Sequence, residues 1–221
     1  MTRVLVLRPE PGASATVAKA RERGLDAVAA PLFEIEPVAW EAPEAGSFDG
    51  LLLTSATAVR CAGEQLEKLR GLKVYAVGDA TAEAARDAGF DIASTGDSGV
   101  DRLLGSIEAD LKLLHLSGED RREPDKARQS IRPLPVYRSR PVDSPNIPLE
   151  GETVALIHSP RAAERFAELV KERTSVSIAA ISRAAADSVG GGWKSMAAAD
   201  QPTDDALLAL AASLCNNSPP E

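Results

Sequence analysis

Six short segments of this chain have the residue types that bind carboxylates and phosphates. Each follows an apolar run and begins a helical pattern, where backbone N–H groups are free to bind anions. The six segments are Arg8-Pro9-Glu10, Thr54-Ser55-Ala56, Gly78-Asp79-Ala80-Thr81, Ser117-Gly118-Glu119, Ser159-Pro160-Arg161 and Ser182-Arg183. Serine is also a frequent helix N-cap, so capping is the favoured interpretation for any one serine. Together, at the carboxyl ends of parallel strands, the segments could line one ligand-binding cleft.

Motifs for metal, nucleotide or serine-nucleophile chemistry do not occur in the sequence. His115 and His158 have no second ligand at metal-binding spacing, and Cys61 and Cys215 lie far apart. Structural roles are therefore favoured for all four residues. A Gly-x-Ser-x-Gly elbow, a Walker loop and a Gly-x-Gly-x-x-Gly fingerprint are also missing from the sequence. We therefore expect no metal site.

Tyr137 is the exception among these residues, because it carries a group that could act on a ligand. It is one of two tyrosines in the chain and lies in an extended segment that contains two prolines. In a linker between two domains, its hydroxyl would lie at the bottom of a cleft and could transfer a proton. An aromatic side chain that packs the linkers together is an equally good interpretation.

The chain resembles itself at a fixed offset. The segments LLLTSATAV and ALIHSPRAAERF are each an apolar run, a serine and then an alanine-rich helical pattern. An offset of 104 residues separates Ser55 from Ser159, and the same offset separates Gly78 from Ser182. This self-similarity indicates two similar α/β units, and we expect a ligand to bind between them.

Apolar runs alternate with helical patterns along most of the chain. The predicted strands are Arg3–Leu7, Gly50–Leu53, Lys73–Val77, Leu111–Leu116, Thr153–His158 and Val176–Ile181. The predicted helices are Ala13–Arg23, Ala56–Leu69, Ala80–Ala88, Ala162–Lys171 and Asp204–Leu214, the last with Thr203 at its start. This alternation is typical of an α/β fold with parallel sheets flanked by helices.

Two extended segments interrupt the alternation and predict the domain boundaries. Pro31–Val38 and Arg132–Arg140 contain prolines, which hold the preceding residue in an extended conformation. If these two connectors pair, they divide the chain at two linkers that lie side by side. The predicted boundaries are residues 1–34 with 139–221 for a first, discontinuous α/β domain, 38–135 for a second α/β domain, and 35–37 with 136–138 for the paired linkers.

Charge and hydropathy exclude some classes of partner. The formal net charge is −8 at pH 7, which argues against nucleic acid or an anionic membrane as the partner. The mixed run from Glu119 to Glu123 favours a solvated surface, although Arg121 or Arg122 could reach a cleft. The apolar run at the N-terminus is too short for a signal peptide or a membrane span. We therefore expect a cytoplasmic protein with a small-molecule ligand. We also expect a monomer.

Eight segments follow one another in a distinctive order: VLVLRP, PLFEIEP, LLLTSATAV, VGDATAEAARDAG, LHLSG, LPVYRSRP, SPRAAERF and AAIS. In this order and spacing they resemble the uroporphyrinogen-III synthase family, over most of the chain. The resemblance implies two α/β domains joined by a two-stranded β linker. It also implies a lyase that closes linear hydroxymethylbilane into uroporphyrinogen III, with inversion of ring D through a spiro intermediate, and that uses no cofactor.

The resemblance also implies roles for particular residues. Tyr137 matches the family tyrosine that is proposed to assist the loss of hydroxide. The candidate substrate-binding residues, from the strand-end segments and from this match, are Arg8, Pro9, Ser55, Ala56, Thr57, Gly78, Thr81, Ser117, Gly118, Ser159, Pro160, Arg161 and Ser182. The sequence departs from the family pattern at Ala185, where a threonine is usual, and at His158, where an apolar residue is usual.

Two other functions agree with the same sequence features. A non-enzymatic two-domain receptor for a small anion would use the same fold and the same amide-rich segments. A nucleotide-sugar transferase with twin α/β domains is less favoured, because neither an acidic metal motif nor a nucleotide fingerprint occurs in the sequence.

Overall fold

The structure, a computed structural model, describes residues 2–96, 99–121 and 123–216. Arg122, one of the two arginines considered for the site, therefore lies outside the described residues. The chain forms two compact units: unit 1 consists of Met1–Glu34 and Pro141–Glu221, and unit 2 of Ile35–Arg140.

Strands and helices alternate through both units. The strands are β1 (Arg3–Val6), β2 (Asp26–Ala29), β3 (Phe33–Pro37), β4 (Gly50–Leu53), β5 (Lys73–Val77), β6 (Ile92–Gly96), β7 (Lys112–Gly118), β8 (Ser130–Pro141), β9 (Thr153–Ile157), β10 (Val176–Ala180) and β11 (Ser195–Ala198). The α-helices are α1 (Gly12–Glu22), α2 (Ala56–Cys61), α3 (Asp79–Asp87), α4 (Val100–Ser106), α5 (Pro160–Leu169), α6 (Arg183–Ser188) and α7 (Asp204–Asn216). Short 3₁₀ helices occur at Ala45–Ser47 and Gly63–Leu69.

Unit 1 contains a five-stranded parallel sheet in the order β11-β10-β9-β1-β2. Successive side chains of a strand point to opposite faces, and both faces of this sheet are covered by helices. Val4 and Val6 pack with α1 and α7 on one face. Leu5 and Leu7 pack with α5 and α6 on the other face. The apolar run of β1 is continuous because both of its faces are buried.

Unit 2 contains a six-stranded sheet in the order β3-β8-β7-β4-β5-β6. The pairs β8–β7, β7–β4, β4–β5 and β5–β6 are parallel. Leu51 and Leu53 of β4 pack with α2 and α3, whereas Leu52 packs with α4 on the opposite face. The carboxyl ends of β4, β5 and β7 therefore meet at one edge, between these two helical layers.

The two connectors predicted from their prolines form strands β3 and β8, which are neighbours in the sheet of unit 2. Val38 N donates to Val136 O, and Val142 N donates to Leu32 O, so the two strands run antiparallel. The chain passes from one unit to the other within β3 and at the end of β8. Because β8 also pairs with β7, its tyrosine, Tyr137, belongs to the sheet of unit 2.

The predicted α/β class with parallel sheets is confirmed, but several elements differ. The single helix predicted over Ala56–Leu69 is wrong, because α2 ends at Cys61 and a 3₁₀ helix begins at Gly63. Gly63 has a φ of +62°, a conformation that an α-helix does not continue through. The sequence patterns also missed α4 and the short strands β2, β6 and β11. Within the described ranges, no helix combines the length and apolarity needed to cross a bilayer.

Candidate functional site

A cavity of about 260 Å³ lies in unit 2 at the carboxyl ends of β4, β5 and β7. Its walls combine hydroxyls, a phenol, a guanidinium, a carboxylate and two valines. The lining residues are Thr54, Ser55, Val77, Val100, Ser117, Gly118, Asp120, Arg121 and Tyr137. Among the candidate site residues predicted from the sequence, the structure thus brings Ser55, Ser117, Gly118 and Tyr137 together, with Thr54 and Arg121 beside them.

The end of β7 shapes this cavity through an irregularity in strand pairing. Ser117 pairs with Pro135, whereas the next residue, Gly118, pairs with Tyr137, so the register shifts by one residue. A β-bulge of this kind redirects a side chain. A Cβ at Gly118 would lie 2.9 Å from Cε2 and Cζ of Tyr137. Glycine is therefore required there for the phenol to lie against the end of β7.

Tyr137 places a phenol in the wall of the cavity. Burial raises the pKa of its phenol, the neighbouring Ser55 hydroxyl acts in the opposite direction, and Cys61 adds a smaller increase. A raised pKa keeps the hydroxyl protonated at neutral pH. The phenol is therefore available there as a proton donor.

His115 supports the cavity from inside the sheet. It is 3% exposed, and its Nε2 lies 3.0 Å from Thr54 Oγ1. Burial, and then the charge of Arg121, lower the pKa of His115 to about 4. The ring is therefore neutral at pH 7, and its hydrogen bond holds a hydroxyl that lines the cavity.

Ser117 and Arg121 are the remaining polar groups of interest. Ser117 is 2% exposed, and its hydroxyl has no hydrogen-bond partner among the described residues. Arg121 forms an ion pair with Glu123 at 3.3 Å. The sequence named Arg121 only as one of two arginines that could reach a cleft, because it lies in a run of mixed charge. Thr54 was named only as part of a strand-end segment, and Val100 was not predicted as a site residue.

The other candidate residues of unit 2 lie beside the cavity lining. Ser55 Oγ accepts a hydrogen bond from Thr57 N at 3.1 Å, so Ser55 caps α2, with Ala56 in its first turn. Gly78 precedes α3 with a φ of +84°, and Thr81 is buried in that helix. Gly78, Thr81, Ala56 and Thr57 are not part of the cavity lining.

In unit 1, an ionic cluster occupies the carboxyl ends of β1 and β9. Arg8 Nη1 donates to both carboxylate oxygens of Asp204, at 3.0 and 3.1 Å, and Thr16 Oγ1 donates at 2.9 Å. His158 Nε2 lies 3.3 Å from Asp204 Oδ1, at an angle that does not form a hydrogen bond. His158, and then Arg8 and Thr16, hold the pKa of Asp204 well below its usual range, against the effect of burial.

The remaining candidate residues of unit 1 begin its helices. Ser159 Oγ accepts from Ala162 N at 3.2 Å, and Ser182 Oγ accepts from Ala185 N at 3.3 Å. The capping interpretation is thus confirmed for these serines. Pro160 is the first residue of α5, and Pro9 follows Arg8 before α1. The guanidinium of Arg161 lies 4.6 Å from the ring centre of Phe33, a cation–π distance.

Metal ligands do not converge in the part of the chain that the structure describes, where no group of three His, Cys, Asp or Glu residues is placed to hold an ion. Cys61 and Cys215 are half-buried free thiols. The arrangement in unit 2 can bind an anion and donate a proton.

Comparisons with known proteins all lead to one family. The family model described as uroporphyrinogen-III synthase HemD matches residues 14–209. The uroporphyrinogen-III synthase of Chlorobaculum parvum is 34% identical over 101 residues, which are 42% of this chain and 41% of that protein. The aligned part thus spans less than half of that relative's length.

Solved structures agree with the fold. Uroporphyrinogen-III synthetase from Helicobacter pylori has a TM-score of 0.64 at 16% identity, over 97% of this chain and 100% of that chain. A mutant uroporphyrinogen III synthase from Thermus thermophilus has a TM-score of 0.58 at 21% identity, over 98% of this chain and 100% of that chain. At these identities the likeness establishes the fold.

Proposed function

This chain belongs to the uroporphyrinogen-III synthase family, and from that premise we propose that it is a lyase that converts linear hydroxymethylbilane into uroporphyrinogen III. One observation in the structure carries the proposal. The phenol of Tyr137 lines a small polar cavity, lies against Gly118 and is near the Ser55 hydroxyl. A protonated phenol in a cavity is what the first chemical step needs.

In the first step the terminal hydroxymethyl group loses its hydroxyl. The pyrrole nitrogen donates its electron pair into the ring, the carbon–oxygen bond breaks, and the hydroxyl leaves as water after accepting one proton. Tyr137 is the proposed donor of that proton. Burial raises the pKa of Tyr137, so the phenol is protonated at pH 7. The product of this step is an electrophilic azafulvenium cation, which keeps its N–H proton, beside the phenolate of Tyr137.

In the second step the far ring attacks this electrophile. A carbon–carbon bond forms at the substituted carbon and gives a spiro intermediate, which fragments and closes again with ring D inverted. Loss of one ring proton completes the macrocycle and can restore the phenol. Orientation of the reacting carbons can supply roughly 7–11 kcal/mol of the barrier reduction. The reaction therefore needs a shaped, anion-binding site and one modest acid.

The test supplies hydroxymethylbilane to the purified protein, oxidises the product and separates the type III isomer from the type I isomer that forms spontaneously. We expect an excess of type III. Formation of type I alone, at the uncatalysed rate, would refute the proposal and favour an anion receptor.

Tyr137→Phe tests the residue that carries the proposal. We expect turnover to fall by roughly 10²-fold, at the lower end of what general acid catalysis supplies, with thermal unfolding unchanged. Unchanged turnover would remove Tyr137 from the chemistry. In the wild type, ionisation of this phenol should not reduce turnover below about pH 10, because its pKa is raised from 10.0. That the protein acts in the cytoplasm, as a monomer and without a metal or cofactor, stays a prediction.

A further inference from the structure

The cavity of unit 2 contains a cation and a buried hydroxyl that the proposed proton transfer does not use. We propose that Ser117 and Arg121 form a carboxylate subsite, which binds one acetate or propionate group of the tetrapyrrole and orients its ring beside Tyr137. This inference rests on the proposed function and extends it, because it assigns a substrate group to two named side chains.

The hydroxyl of Ser117 is evidence for a ligand, because it is buried without a hydrogen-bond partner among the described residues. The residue is 2% exposed and lines the cavity, and no described residue accepts or donates a hydrogen bond at its Oγ. A buried hydroxyl without a hydrogen bond is unfavourable in free energy. A ligand carboxylate in the cavity would accept its proton and remove that penalty.

Arg121 can exchange its present partner for a ligand. Its side chain is 26% exposed, whereas that of its ion-pair partner Glu123 is 79% exposed. Exposed ion pairs contribute little to stability, because water screens the charges and both side chains lose conformational freedom. A carboxylate held deeper in the cavity, next to the Ser117 hydroxyl, would interact more strongly with the guanidinium.

The charge of Arg121 acts on the same face of the sheet as the Ser117 hydroxyl. Arg121 contributes to the lowered pKa of His115. His115 and Ser117 are two residues apart in β7, and side chains two residues apart in a strand lie on one face. The guanidinium and the unpaired hydroxyl therefore act on the same face of the sheet.

The internal repeat supplies an example of the same recognition. An offset of 104 residues places β4 on β9 and α4 on α7. Strand β7 pairs with β4 as β1 pairs with β9, so β7 corresponds to β1. The corresponding positions are Thr54 and His158, Val100 and Asp204, and Ser117 and Arg8.

At this edge, unit 1 holds a carboxylate of its own. Asp204 accepts hydrogen bonds from an arginine, Arg8, and from a hydroxyl, Thr16. Unit 2 has Val100 in place of that aspartate but keeps a guanidinium and a hydroxyl at the cavity. The carboxylate that unit 1 contributes from α7 would thus come from the substrate in unit 2.

The experiment compares steady-state kinetics with hydroxymethylbilane for Arg121→Gln, Ser117→Ala and the control Arg128→Gln. Arg128 is an exposed arginine of the same unit and does not line the cavity. We expect KM to rise roughly tenfold to a hundredfold for Arg121→Gln, as for a lost hydrogen bond to a charged group, with a smaller change in kcat. Arg121→Lys should recover part of the loss. Arg128→Gln should keep the wild-type KM.

Ser117→Ala separates binding from a structural role. A hydroxyl that stabilises the fold would lower the unfolding midpoint when it is removed. The Ser117 hydroxyl has no protein partner, so the midpoint should stay unchanged or rise while KM increases. In the double variant the two KM increases should combine to less than their product, because both side chains bind one carboxylate.

Asp120→Asn checks the sign of the charge that the cavity binds. Asp120 also lines the cavity and is exposed, so its neutralisation should lower KM for an anionic group.

The inference would be overturned, and the proposed function left intact, by two results together. The wild type would form the type III product, and Arg121→Gln and Ser117→Ala would both have a KM within twofold of the wild-type KM. Type I alone from the wild type would overturn both.

Discussion

Corresponding edges of the two units differ in what they bury. In unit 1, Asp204 and His158 lie at the carboxyl edge of the sheet and form an ionic cluster with Arg8. In unit 2, the corresponding Val100 and Thr54 line a cavity of about 260 Å³. The two units share a fold and a repeat but differ in the side chains at these positions, and unit 2 has a register shift between β7 and β8 at the cavity.

This difference shows how a repeated fold can separate stability from function. In unit 1 the carboxylate of Asp204, the guanidinium of Arg8 and the hydroxyl of Thr16 bind one another, although the ring nitrogens of His158 form no hydrogen bond with a described residue. Unit 2 leaves Ser117 without a partner and keeps a phenol at the cavity wall. Polar groups that the fold does not satisfy are available to a ligand. Four measurements test this contrast.

The largest effect on activity should come from Gly118→Ala, because only a glycine at this position lets the phenol of Tyr137 lie against the end of β7. Unit 1 has Pro9 at the corresponding place, whereas an added methyl group at Gly118 would lie 2.9 Å from the ring of Tyr137. Displacement of the phenol by about 1 Å should lower kcat by roughly 10²-fold. Gly105→Ala is the matched control, because nothing lies within 4 Å of its added Cβ. Equal activity of the two variants would show that the close approach has no role.

Acid should destabilise the two units in different pH ranges. The pKa of His115 falls from 6.5 in the unfolded chain to about 4 in the fold, so the unfolded state binds more protons between these values. Stability from the neutral ring is complete above pH 6.5 and is lost as the pH falls toward 4, by about 2–3 kcal/mol at pH 4.5. Urea unfolding at pH 7 and pH 4.5 measures the loss.

His115→Gln should remove most of this dependence, because glutamine does not titrate. The depressed pKa of Asp204 acts in a lower range, since stability from its carboxylate is lost only as the pH falls below about 4. An equally large loss in the glutamine variant between pH 7 and pH 4.5 would contradict the assignment to His115.

Asp204→Asn should destabilise unit 1 by about 2 kcal/mol, because Arg8 and the buried His158 lose their anionic partner. Asp205→Asn is the control on the adjacent residue. Its side chain is exposed and pairs with Arg23 at the surface, so its removal should change stability by about 0.5 kcal/mol or less. Denaturant unfolding of the two variants and the wild type measures both losses of stability. Equal losses would show that the cluster contributes no more than a surface pair.

The smallest effects should come from the capping serines. Ser182→Ala and Ser55→Ala each remove an N-cap and should each cost about 1 kcal/mol of stability. Ser55 also lines the cavity of unit 2 and Ser182 does not, so turnover should decrease more in Ser55→Ala than in Ser182→Ala. A matching decrease in both would mean that helix capping, and not the cavity, controls activity.

Local patterns in the sequence were enough to predict much of this fold. Continuous apolar runs predicted the central parallel strands, because strands buried on both faces need no polar residues. Serines after these runs predicted helix starts, and Ser55, Ser159 and Ser182 are all N-caps. Edge elements such as β6 and α4 escaped detection, because short segments with half-exposed side chains have weak periodicity.

The cavity could be predicted only in part. Ser55, Ser117 and Gly118 were named from the ends of strands, and Tyr137 from its extended linker segment; all four line the cavity. Arg121 lies in a run of mixed charge that is typical of a solvated surface. Engagement of Arg8 by Asp204 could not be predicted, since 196 residues separate them in the sequence.

The order of the residues by itself determined the alternation of strands and helices, the repeat at 104 residues and the helix-capping serines. These features depend on neighbours in the chain and on which faces are buried. The tertiary structure alone decided which side chains meet at each sheet edge: Arg8, Thr16 and Asp204 in unit 1, and the lining of the cavity in unit 2. These residues come from segments that are distant in the sequence, so their contacts depend on how the strands and helices pack.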